Sequence, residues 1–148
     1  MSVEPGILDA NILAYASNAD DPKYPVCRAL LDEARDPSTT LYITPQILCE
    51  FYSVITIPRR VATPSSPAVA LQVISALAAL PGISILPTTA RAVTALIELL
   101  RRHPVTGPEI FDLQIVATMK ANNIQRIYTF NAGDFEVFPE LTVIVPGS

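Results

Sequence analysis

Five short apolar runs alternate with longer stretches of helical periodicity. That alternation restricts the fold more than any other feature of the chain. The runs fall at residues 6–8, 41–43, 83–86, 126–129 and 142–145. Helical stretches lie between most of them, long enough for the crossovers that parallel strands need. Strands connected in this way make a sheet that is covered on both faces. The expected architecture is a three-layer α/β/α sandwich around a central, mostly parallel sheet of four to five strands, in a single domain over 1–148. Right-handed crossovers place strands one and four side by side near the centre and strand five at an edge.

Local signals set the helices. Residues 21–35 read as a helix with Pro22 or Pro25 in its first turn. Thr44 and Pro45 form an N-cap and first position for a helix to about residue 57. Residues 67–80 are apolar on nearly all sides, which implies deep burial or a subunit interface. A further helix runs from Thr88 or Thr89 to Arg102, with Val93, Leu96, Ile97 and Leu100 expected inward. Thr106-x-x-Glu109 reads as a capping box opening a helix to Ala121. Residues 58–66, rich in proline and serine, read as a loop.

Composition excludes several classes. Half of the residues are hydrophobic and 16% are charged, which describes a core-rich globular chain. The longest apolar tract, 67–86, is interrupted by Gln72, Ser75 and Pro81-Gly82, so no membrane span is expected. No basic leader followed by an apolar segment is evident, and the expectation is a cytoplasmic protein. Cys27 and Cys49 lie in apolar helical patterns and are expected to be buried free thiols. Two cysteines and one histidine cannot build a Cys/His zinc site. A net charge of −4 argues against a large basic face for duplex nucleic acid. Arg59-Arg60 and Arg101-Arg102 are short basic pairs, either solvated or in contact with RNA. Tyr15, Tyr52 and His103 are read as packing or surface residues.

Four acids carry the chemistry. Asp9 follows the first strand and Asp134 comes just after the fourth, so both belong at strand C-termini, where open parallel sheets bind ligands. Glu50 and Asp112 each sit in the apolar face of a helix. Four ionised carboxylates together repel by roughly 4 kcal/mol per pair at 4 Å and an effective dielectric of 20. Protons or cations must neutralise them. All-oxygen ligands fit Mg2+ or Mn2+, which can activate water and stabilise a pentavalent phosphorane in phosphodiester hydrolysis. Thr129 and Asn131 are polar helpers beside them.

Taken together, L-D-A-N-I-L near the start, a lone Glu in an apolar helix, F-D-L-Q-I-V-A-T-M late in the chain and T-F-N-A-G-D-F after the last central strand resemble PIN-domain ribonucleases. The resemblance is greatest to the VapC-type toxins of bacterial toxin–antitoxin pairs, and it covers the chain from Leu8 to about Val145. It places the family's acids at Asp9, Glu50, Asp112 and Asp134, with Asn11, Thr129 and Asn131 as matched polar positions. It implies a Mg2+-dependent endoribonuclease that dimerises and is inhibited by a cognate antitoxin. Where the family often has an arginine between Thr129 and Asn131, this chain has Phe130.

Each acid also has an ordinary explanation. Asp9 could cap a helix, Glu50 could pair with an arginine, Asp112 could be solvated and Asp134 could serve a turn. Glu109 is explained by the capping box, yet it shares a face with Asp112. Two other functions compete. One is an aspartate-based phosphatase, which needs a second aspartate where Asn11 stands. The other is a catalytically inert PIN-like module that binds RNA or protein.

Overall fold

The computed structural model describes residues 3–58 and 63–148. Arg59-Arg60 and the centre of the expected 58–66 loop lie outside the described residues. The strands are β1 (Gly6–Leu8), β2 (Leu41–Ile43), β3 (Ile83–Ile85), β4 (Arg126–Tyr128) and β5 (Thr142–Ile144). They pair in the order β3-β2-β1-β4-β5. Every pairing is parallel, with Ile7 opposite Tyr42 on one side and Ile127 on the other. The central pairing of strands one and four is therefore as expected, and the sheet is wholly parallel.

Seven α-helices fall among the described residues: α1 (Ala10–Ala16), α2 (Tyr24–Asp32), α3 (Pro45–Thr56), α4 (Pro67–Ala78), α5 (Ala90–Arg102), α6 (Ile110–Ala121) and α7 (Ala132–Phe135). α1 packs on α2 and α3, and α3 on α4; α5 packs on α6. Right-handed crossovers set these two groups on opposite faces of the sheet. Hydroxyl caps start three of the helices: Thr44 accepts from Ile47 N at 3.1 Å, Ser66 from Val69 N at 3.2 Å and Thr89 from Ala92 N at 3.3 Å. At the sheet centre, a Cβ on Gly6 would lie 2.9 Å from the Tyr128 ring and 3.0 Å from the Arg126 side chain. Glycine thus lets Tyr128 fold across β1 and donate its hydroxyl to the Glu4 carbonyl at 2.6 Å. No helix among the described residues is long and apolar enough to cross a membrane.

Three expectations need correction. Val93 and Ile97 do not face inward: they are 53% and 47% exposed, while Ala92 and Leu99 are buried. α5 meets α6 through the neighbouring face, where small Ala92 allows close approach. Cys27 is buried but Cys49 is exposed, because the apolar stripe of α3 is covered through Ile47, Phe51 and Ile55 instead. Thr106 makes no capping bond. Gly107 takes a left-handed φ of 57° and a single 3-10 turn follows, so α6 begins only at Ile110. Of the two readings of 67–80, deep burial and a subunit interface, the exposure of Val69 and Leu71 on α4 leaves the second open.

Candidate active site

Asp9 ends β1 at the switch point where the chain turns away from the sheet centre. Its backbone N–H donates to the Tyr128 carbonyl at 3.0 Å, which ties it to β4. Its carboxylate is buried and takes three donors. Ala10 N–H reaches Oδ1 at 2.7 Å, the Thr129 hydroxyl reaches Oδ2 at 2.8 Å, and Asn11 Nδ2 reaches Oδ2 at 3.2 Å. Asp9 is thus both the cap of α1 and a fixed member of the site. One of those donors is Thr129, expected as a polar helper, and another is Asn11, a polar position matched by the resemblance.

Thr129 is fully buried one residue past β4. Its Oγ also accepts from Asn131 N–H at 3.0 Å and from Asn11 Nδ2 at 3.3 Å. Asn11 Oδ1 accepts from Phe130 N–H at 3.2 Å. The backbone after β4 is therefore clamped onto the first turn of α1.

Asp9, Asn11, Glu50, Asp112 and Asn131 line one open cleft of about 510 Å³, with Cys49 and Ser53 on its α3 wall. Asp134 stands one groove away. It lines a neighbouring cleft with Glu109, Arg102 and His103, and Asp112 forms part of both walls. Of the seven expected site residues, six converge directly or through Thr129, and Asp134 is an exposed neighbour. Glu109, with no cap to make, joins Asp134 on the second cleft. Of the two basic pairs, Arg101 is engaged by Glu98 at 2.7 Å, whereas Arg102 faces this second cleft.

Three of the acids hold protons more tightly than usual. Burial raises Asp9, against the opposing hydrogen bonds from Thr129, Ala10 and Asn11. Burial also raises Glu50, with a further push from Asp9. Asp112 is pushed up to about 6, first by burial and then by the charges of Asp134, Asp9, Glu50 and Glu109. The repulsion expected from four converging acids is therefore present, and it is concentrated on Asp112.

One residue escaped the sequence reading. Gln46 Nε2 donates to Glu50 Oε1 at 2.8 Å and to the Phe111 carbonyl at 3.0 Å. It bridges α3 to α6 and orients Glu50. Its signal was the four-residue spacing from Glu50 on one helix face.

Apart from the Cys49 thiol, the cleft offers carboxylate, amide and hydroxyl groups. Among the described residues, no three His, Cys, Asp or Glu side chains are arranged to hold a metal ion on their own. This does not conflict with Mg2+, which commonly takes one or two carboxylates and completes its shell with water and substrate phosphate.

Known proteins share both sequence and architecture with this chain. The PIN domain model matches residues 6–141, which runs from β1 past β4. Ribonuclease VapC43 of Mycobacterium tuberculosis is 30% identical over 116 residues, covering 78% of this chain and 79% of the relative. Among solved structures, VapC20 of Mycobacterium tuberculosis, described as a Sarcin-Ricin loop cleaving toxin, superposes with a TM-score of 0.67 at 19% identity, covering 91% of this chain and 95% of that one. A toxin–antitoxin complex from Klebsiella pneumoniae gives 0.63 at 16% identity, covering 95% and 97%. At these identities the solved structures speak for the fold, and the family follows from the sequence matches over that same fold: the chain belongs to the VapC-type ribonucleases of the PIN domain family.

Proposed function

We propose that this protein is a Mg2+-dependent endoribonuclease, the toxin of a toxin–antitoxin pair, with a cognate antitoxin as its inhibitor. One observation carries the catalytic reading. Asp9, Glu50 and Asp112 face a single cleft, and all three are raised in pKa. Such clustering of perturbed acids marks a functional site. Asp9 and Glu50 would hold the cation, with water and substrate phosphate completing its shell, Asp112 standing beside them in the same cleft and Asp134 adding negative charge from the next groove. Mg2+ or Mn2+ bound there supplies a Lewis acid for the scissile phosphate and lowers the pKa of an attacking water. Thr129 and Asn11 fix Asp9, and Gln46 fixes Glu50. Asp112, at about 6, exchanges a proton nearest to neutrality, which suits it to take one from the attacking water. Asn131, exposed on the cleft wall, presents its amide to the phosphate backbone. The antitoxin reading is supported by the toxin–antitoxin complex of the same fold.

The test is cleavage of total RNA by the purified protein. Cleavage is expected with Mg2+ or Mn2+, loss of cleavage with EDTA, and recovery on adding excess cation. Intact RNA under all conditions sinks the nuclease reading, and EDTA-resistant cleavage sinks the metal.

The active form is proposed to be a homodimer. Val69 and Leu71 on α4 leave large apolar side chains in solvent, and an exposed apolar helix face of that kind marks an association surface. Light scattering at tens of micromolar is expected to return twice the 16.0 kDa chain mass. A monomer mass rejects the dimer without touching the catalytic assignment.

A further inference from the structure

Phe130 stands between two site residues, Thr129 and Asn131, and packs one side against the core while remaining partly open to solvent. Its ring meets Tyr15 edge-on, with centroids 5.3 Å apart and planes at 89°. Its backbone N–H is held by Asn11 Oδ1 at 3.2 Å. Tyr15 lies one turn after Asn11 on α1, so both rings stand on the side of the helix that carries the cleft-lining amide. Both rings are only partly buried. Above them, Lys23 Nζ lies 5.0 Å from the Tyr15 centroid and 5.6 Å from that of Phe130. Lys23 takes no part in the ion pairs that engage Arg28, Arg35, Arg101, Lys120 and Arg126 among the described residues.

We propose that the Tyr15–Phe130 corner, with Lys23 over it, is a nucleotide subsite: it stacks one unpaired RNA base beside the cleaved bond while Lys23 holds a flanking phosphate. The proposal rests on the ribonuclease reading above. An acidic cleft repels RNA, so binding energy must come from its rim. Base stacking on an aromatic ring contributes about 1–3 kcal/mol, whereas an exposed cation–π contact contributes about 0.5–1 kcal/mol. A base therefore displaces the ammonium from the ring face, and the exposed lysine stem swings to the adjacent phosphate. The absence of an arginine at position 130 shifts recognition here from charge to stacking, which favours single-stranded RNA with splayed bases.

The experiment measures anisotropy of a labelled single-stranded RNA with Mg2+ on an Asp112→Asn background, where cleavage is slowed by about 10²- to 10⁴-fold. Phe130→Ala should weaken binding about tenfold, and Phe130→Trp should restore it. Lys23→Met should weaken binding and reduce the slope of log affinity against log salt by about one. In the cleaving protein, Phe130→Ala should raise KM with kcat nearly unchanged. Equal RNA affinity for Phe130→Ala and its parent overturns the subsite, as does a loss that Phe130→Trp fails to restore. If no wild-type cleavage occurs, the ribonuclease reading fails on its own, and the binding comparison still decides the subsite.

Discussion

Asp112→Asn is expected to lower RNA cleavage by about 10²- to 10⁴-fold, the range of a lost general acid–base group, while making the metal-free protein more stable at pH 8. The two effects share one cause. Asp112 is half-buried and faces the charges of Asp134, Asp9, Glu50 and Glu109, which with burial hold its pKa at about 6 against an ordinary 3.8. Between those values the folded protein keeps a proton that the unfolded chain has released, so stability falls as pH rises through that window and the loss is complete above it. A shift of about two units corresponds to roughly 3 kcal/mol at 1.36 per unit; solvent screening of a half-exposed carboxyl reduces this to about 1–2 kcal/mol. Asparagine keeps the shape and removes the charge. Melting temperatures in EDTA should rise by a few degrees over wild type at pH 8 and converge with it near pH 4. Adding Mg2+ should stabilise wild type more than the variant. Wild-type cleavage rates, or a melting point unchanged at pH 8, would remove Asp112 from the centre of the site.

Thr129→Val should reduce kcat/KM by about 10- to 100-fold, the usual cost of removing a group that orients a metal ligand, although Thr129 itself stays out of the reaction. The substitution is nearly isosteric at a fully buried position. It deletes the 2.8 Å bond to Asp9 and leaves Asn131 N–H without the acceptor it has at 3.0 Å. A lost hydrogen bond costs about 0.5–1.5 kcal/mol, and the Asn131 N–H is only partly buried, so stability should fall modestly as well. With one fewer donor, the buried Asp9 carboxylate should bind its proton more tightly still, and the acid limb of the pH–rate profile should move to higher pH. Thr129→Ser retains the hydroxyl and should recover most of the activity. Equal activity in the valine and serine variants would show that the bond positions nothing.

The parts of this fold that were legible were those set by local rules. The short apolar runs read as strands, and the handedness of crossovers joined the first to the fourth. That pairing alone predicts that Asp9 and Thr129 meet. The misreadings arose where tertiary contacts choose among equivalent local options. The stripe Val93-Leu96-Ile97-Leu100 is a sound amphipathic pattern, but α6 covers the adjacent face through Ala92 and Leu99. Cys49 looked buried because its neighbours are apolar, yet it opens onto the cleft. Thr106 and Glu109 had the spacing of a capping box, but the left-handed Gly107 and a 3-10 turn separate Thr106 from the helix that begins at Ile110. Asp134 was expected beside Asp9; the short α7 carries it to the next groove, and no sequence pattern records that offset.

The Thr129 hydroxyl lies 120 residues after the carboxylate it holds. The strand before it, β4, enters the sheet between β1 and β5. A growing chain therefore makes one half of the site almost at once and the other half late. At about 5–20 residues per second, Asp9 waits roughly 6–24 seconds for Thr129. During that interval β1 has one partner strand at most, the buried carboxylate has lost a donor, and Asp112 is absent until shortly before. A ribosome-bound fragment thus carries the first acid without the means to aim it. The order of synthesis delays assembly of the proposed nuclease until the chain has been extended through Thr129, a temporal safeguard built into strand order alone.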